Sequence, residues 1–165
     1  MPSPIPAFSF AEPIEPQVLA VARSIAARIA SGERTDRKSL NAMMGTAFGG
    51  SDADGRWSVR DAHAAIEFGQ VLWLQGTPTL KHSSDPVLAE GIFVSAASLL
   101  PAQTVRSEEQ IELQQFGTPP GLAWLAARAG SIAPSDYVLE PSAGTGMLAI
   151  WARKVGAGLA LNEIS

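Results

Sequence analysis

Apolar residues in the first two thirds of the chain recur every three or four positions, the repeat of helices with one buried face. Val18, Val21, Ala22, Ile25 and Ile29 line up in one stripe. Pro16 suits a first helical turn, Glu12 and Glu15 lie near its positive end, and Gly32 is a natural stop. A second helix is expected from Thr35 or Asp36, with Leu40, Met43, Met44, Ala47 and Phe48 inward, ending at the turn-rich "FGGSDADG". Ser58, with Asp61 three residues on, is a weak capping box. It opens a helix expected to bury Ala62, Ile66, Leu72 and Trp73. Asp85-Pro86 supplies a cap and a first-turn proline for a fourth helix ending before Pro101. Pro2, Pro4, Pro6 and Pro13 make residues 1–15 an extended arm.

The pattern changes near residue 105. Thr118-Pro119-Pro120 starts a helix stopped by Gly130. Asp136 precedes "YVLE", a short apolar strand, "TGMLAIWARKVGA" reads as a helix, and "GLALNE" as a second strand. Helix, strand, glycine turn, helix, strand predicts an α/β fold at the start of a parallel sheet. The expected organisation is therefore an arm (1–15), a helical domain (16–105) and an incomplete Rossmann-like unit (106–165). Trp57, Trp73, Trp124 and Trp151 are expected on apolar helical faces.

Composition narrows the chemistry. The 165 residues are 46% hydrophobic and 17% charged, a globular composition, and the absence of cysteine excludes disulfides and thiolate metal sites. The start has no positive n-region before an apolar core, and no apolar run approaches the roughly 20 residues of a membrane span. The cytoplasm is the expected location. Net charge is −4, with 9 Lys+Arg against 12 Asp+Glu in residues 1–110 and 3 against 4 afterwards. Neither part carries the basic stripe that phosphate neutralisation requires, so most contacts to any DNA would lie elsewhere.

The chemistry concentrates in "LEPSAGTG". Glu140 ends a strand, and Gly144 and Gly146 carry the turn into the next helix. Glycine is called for there because a side chain would collide with a ligand over the turn, and because the turn can require positive φ. N–H groups at such a helix start favour polar or anionic ligand atoms. Glu163, at the end of the next strand, can accept both hydroxyls of a ribose. "GTGMLA" also fits the G-x-G-x-x-A form of NAD or FAD binders. Against that, a pyrophosphate would sit badly beside Glu140, and Pro141 and Ser142 replace the first tight glycine turn. S-adenosylmethionine (SAM), with an ammonium, a sulfonium, a ribose and no phosphate, suits two carboxylates better.

"QFGTPP" followed by "LEPSAGTG" and "LALNE" resembles motifs X, I and II of amino-methylating DNA methyltransferases of the adenine-N6 kind. Nearly the whole chain is similar to the N-terminal region of bacterial methylase–helicase fusions of the strawberry notch type, on "LNAMMGTAFGGSDADGRW" and "LLPAQTVRSEEQIELQQFGTPP". The resemblance implies that Thr118, with Phe116 and Gly117, holds the methionine carboxylate of SAM. Glu140 would face the ammonium, Ser142, Gly144 and Gly146 would let the ligand lie against the turn, Glu163 would take the ribose, and Ile164 one face of the adenine. Asp is common in that family where Glu140 stands.

The family's D/N-P-P-aromatic tetrad, which holds a flipped base, is absent from these residues. Pro119-Pro120 is the only Pro-Pro pair and stands in the wrong place, and no helicase "GxxxxGK[ST]" occurs. The resemblance thus implies the donor-binding piece of a larger enzyme, with no catalytic residue of its own and inactive alone. Its partners would be the remainder of the parent protein and, through it, DNA, with neither metal nor membrane. The alternative is a non-catalytic helical docking module or a truncated gene product. Elsewhere, His63 reads as structural, "SDADG" as a plain loop without calcium-ligand spacing, and "ERTDRK" as a solvated helix start.

Overall fold

The computed structural model describes residues 15–102 and 117–163. The expected arm, Glu12 and the segment before Gly117 lie outside them. The architecture is mixed α/β and mostly helical: among the described residues there are six helices and a two-stranded parallel sheet. In chain order they are α1 (Pro16–Ser31), α2 (Arg37–Phe48), α3 (Val59–Gln75), α4 (Pro86–Ser98), α5 (Pro120–Ala129), β1 (Tyr137–Glu140), α6 (Ala149–Val155) and β2 (Gly158–Leu161).

Local chemistry sets most of these boundaries. Pro16 stands in the first turn of α1, and Gly32 closes it at φ 73°, a conformation glycine reaches without strain. Glu15 occupies the N-cap position but makes no side-chain cap. Asp36 caps α2 by accepting from the Ser39 N–H at 2.8 Å. The Ser58–Asp61 box at α3 is complete in both directions. Asp85 accepts from the N–H groups of Val87 and Leu88.

Two apolar clusters form. The first packs α1 on α3 and α2, with Val18, Val21, Ile25, Ile29, Leu40, Met44, Ala65 and Ile66 buried. Contact is closest at Gly69, where a Cβ would meet Ile25 Cγ2 at 2.7 Å and the Ala22 carbonyl oxygen at 3.1 Å. The second cluster joins Leu74, Leu80 and Ala89 to Ala123, Trp124, Ala127, Met147, Ile150 and Trp151. It therefore draws on residues from both sides of position 105. Phe93 meets the Trp151 ring edge-on at 6.3 Å, and half-buried Trp73 touches both clusters.

Three sequence expectations shift. Leu72 is only half-buried while Leu74 is fully buried, because the end of α3 packs on the second cluster rather than continuing the first stripe. Trp57 is buried from the loop before α3, not from a helix, and its indole N–H donates to the Gly50 carbonyl at 3.0 Å. The second helix of the α/β part starts at Ala149 rather than Thr145, because the glycine turn occupies the residues before it.

The strands pair in parallel, Tyr137 with Gly158 through Glu140 with Leu161. The face carrying Tyr137 and Leu139 is open, these side chains being 74% and 68% exposed. The parallel β–α–β order is as expected. A full Rossmann-like sheet would add further strands to these two.

Gly69→Ala should destabilise the chain by about 1–3 kcal/mol through overpacking against Ile25, read by chemical denaturation. Unchanged stability would show that α1 and α3 can part at no cost. Hydrogen bonds from the Ser39 N–H and hydroxyl hold Asp36 below the usual carboxylate range of 3.8. A depressed carboxylate stabilises above its unfolded pKa and loses that contribution as pH falls through the folded one. Asp36→Asn, which keeps an acceptor but does not titrate there, should flatten the fall in stability below about pH 3.8.

Candidate functional site

β1 delivers Glu140 to the mouth of a turn running from Pro141 to Leu148, after which α6 begins. Gly144 adopts φ 49° and Gly146 φ 86°, and nothing lies within 4 Å of a Cβ built on either. Of the two reasons for glycine, the backbone conformation is the one the fold itself imposes. An L-residue in that region costs roughly 1–2 kcal/mol.

Such a turn needs outside support, and the segment after β2 provides it. The Asn162 N–H donates to the Glu140 carbonyl at 2.9 Å, and the Ala143 N–H to the Asn162 carbonyl at 2.8 Å. Asn162 Nδ2 adds a bond to the Pro141 carbonyl at 3.0 Å. One asparagine therefore stitches the turn to the end of β2.

Three carboxylates gather on the turn. Glu140 Oε1 accepts from the Ser142 N–H at 3.1 Å. Glu163 Oε2 accepts from the Gly144 N–H at 2.5 Å. Glu67, from α3, accepts at Oε2 from the Thr145 hydroxyl at 3.3 Å. Glu140, Thr145, Gly146, Glu163 and Glu67 are all half-buried, while Ser142 and Gly144 are exposed. In this negative setting the exposed Gly144 N–H is already engaged by a carboxylate.

Gly117 joins the same neighbourhood. A Cβ on Gly117 would fall within 2.6 Å of the Glu67 carboxylate atoms, so the "GTPP" backbone lies directly against that side chain. Thr118 is half-buried and precedes α5. Phe116 and Ile164 lie outside the described residues. Of the expected site residues, Ser142, Gly144 and Gly146 lie in one turn, Glu140 and Glu163 hydrogen-bond to it, and Gly117 reaches it through Glu67.

Sequence reasoning did not single out Glu67, Thr145 or Asn162. Asn162 stands beside Glu163 in "LALNE", where a side chain able to donate and accept at a strand end was a usable signal. Glu67 is 78 residues from its partner Thr145, and no local pattern reports it.

α6 is fixed at its far end as well. Lys154 Nζ donates to the carbonyls of Leu74 and Thr77, both at 2.7 Å, capping the end of α3. Partial burial lowers the lysine's pKa from 10.5. Elsewhere the carboxylates serve local turns: Asp54 accepts from the Ser51 N–H and hydroxyl inside "SDADG". Among the described residues no group of three or more His, Asp or Glu could hold a metal ion. None of their helices is long and apolar enough to cross a membrane. An open apolar groove of about 560 Å³ lies away from the turn, lined by Ile29, Trp73, Val87, Leu88, Ile92 and Leu99 among others. It has no titratable side chain and so offers no acid, base or charge for chemistry.

No protein-family profile, curated protein or solved structure matches the chain.

Gly146→Ala should cost about 1–2 kcal/mol in thermal or denaturant unfolding through backbone strain alone. A neutral substitution would mean that the turn can relax out of its positive φ.

Proposed function

We propose that this chain binds S-adenosylmethionine as the donor-holding portion of a DNA methyltransferase of the adenine-N6 kind, within a larger methylase–helicase. One observation carries the reading. The glycine turn at the end of a parallel strand is bordered by carboxylates, and its Gly144 N–H is engaged by Glu163. A dinucleotide pyrophosphate needs free donors and a positive field at such a turn. Here it would meet negative charge, whereas the ammonium and sulfonium of SAM would be attracted. This favours SAM over NAD or FAD.

In this reading Glu140 faces the ammonium, Glu163 takes the ribose hydroxyls, and Gly117–Thr118 lies toward the methionine carboxylate. Phe116 and Ile164 take the roles that the family resemblance gives them. The parent reaction is in-line transfer of the methyl group from sulfonium sulfur to the exocyclic amine of a base, where positioning does most of the work. The tetrad that would hold the base is not in this sequence. The chain alone therefore binds donor without transferring it.

A docking role for the helical region is the second reading. It draws on exposed Val87, Leu88 and Val94 of α4, two of which line the apolar groove. Its DNA-binding version falls if the full chain fails to shift duplex DNA at low salt.

Calorimetric titration of SAM and NADH into the chain, and into a product about 150 residues longer, tests the leading proposal. Binding of SAM and not NADH is expected for both. Binding of NADH without SAM would overturn the assignment.

A further inference from the structure

Glu67 does not belong to the glycine turn in sequence, yet it touches both parts of the candidate site. Its Oε2 accepts the Thr145 hydroxyl at 3.3 Å, and its carboxylate lies against the Gly117 backbone where a Cβ would displace it. The same helix grips the unit a second time, at Leu74 and Thr77 through Lys154. Glu67 and Leu74 are two helical turns apart, about 10 Å along α3. The segment from Thr145 to Lys154 therefore runs alongside α3, fastened at both ends.

We propose that Glu67 is a positioning residue for the donor site, by which the helical region sets the gap between the Gly117–Thr118 wall and the glycine turn. This rests on the SAM reading for its functional consequence. The carboxylate acts as acceptor and spacer: Thr145 is held on one side and Gly117 on the other. Truncation removes both contacts at once. Glutamine at the same position keeps an acceptor oxygen and nearly the same volume, so it should preserve the clamp.

The test compares the full chain with Glu67→Ala, Glu67→Gln and Gly117→Ala by SAM titration, unfolding midpoint and amide hydrogen exchange at Ala143, Gly144 and Gly146. Glu67→Ala should weaken SAM binding about tenfold and speed exchange at those amides, while Glu67→Gln stays within about threefold of the unmodified chain. Gly117→Ala, whose added methyl displaces the carboxylate, should follow Glu67→Ala. The inference is overturned if Glu67→Ala leaves exchange and affinity unchanged. It is equally overturned if Glu67→Gln binds as weakly as Glu67→Ala at the same unfolding midpoint, since a lost charge would then be the cause. If Glu67→Ala fails to fold, Gly117→Ala decides on the same readouts. If the unmodified chain binds no SAM, the donor reading fails, and the exchange data still decide whether Glu67 holds the turn.

Discussion

Two left-handed glycines, Gly144 and Gly146, give β1 its exit, and much of the candidate site serves to support that exit. A backbone at φ 49° and 86° cannot continue a helix, and beyond the Gly146 N–H bond to the Ala143 carbonyl the turn draws further hydrogen bonds from outside itself. Asn162 and Glu163 supply them from the neighbouring strand end, and Glu67 from α3. Below the turn, fully buried Trp151 ties α6 to the second apolar cluster, so the turn sits on a packed base and is pinned from two sides.

Apart from Asn162, the side chains that do the pinning are acidic, and this gives the turn its electrostatic character. Anion-binding glycine turns present unpaired N–H groups to phosphate. Here carboxylates take the N–H groups of Ser142 and Gly144 and the hydroxyl of Thr145. Two of the groups that support the turn, Glu140 and Glu163, are also groups that would repel a diphosphate and attract a cation. Structural support and ligand preference are thus two consequences of one arrangement.

Elements governed by neighbours in sequence were legible before the structure. The α1 stripe, the Ser58 and Asp85 caps and the parallel order of β1 and β2 follow from periodicity and capping chemistry. What depended on distant partners was not. Leu74 is buried because α3 serves two clusters, and a single-stripe reading placed Leu72 there instead. Glu140, Gly144, Gly146 and Glu163, which the structure brings together, are marked locally by glycine spacing and strand ends. Glu67 was missed because its role exists only once α3 lies against the turn.

The central claim is that segments around Gly117, Ser142–Gly146 and Glu163 form one ligand surface. Amide chemical-shift mapping of the chain during addition of SAM tests it most directly. Gly117, Thr118, Ser142, Gly144, Gly146 and Glu163 are expected to shift together and saturate at one ligand concentration. Shifts confined to the apolar groove of Ile29 and Leu88, with the glycine turn unmoved, would contradict it.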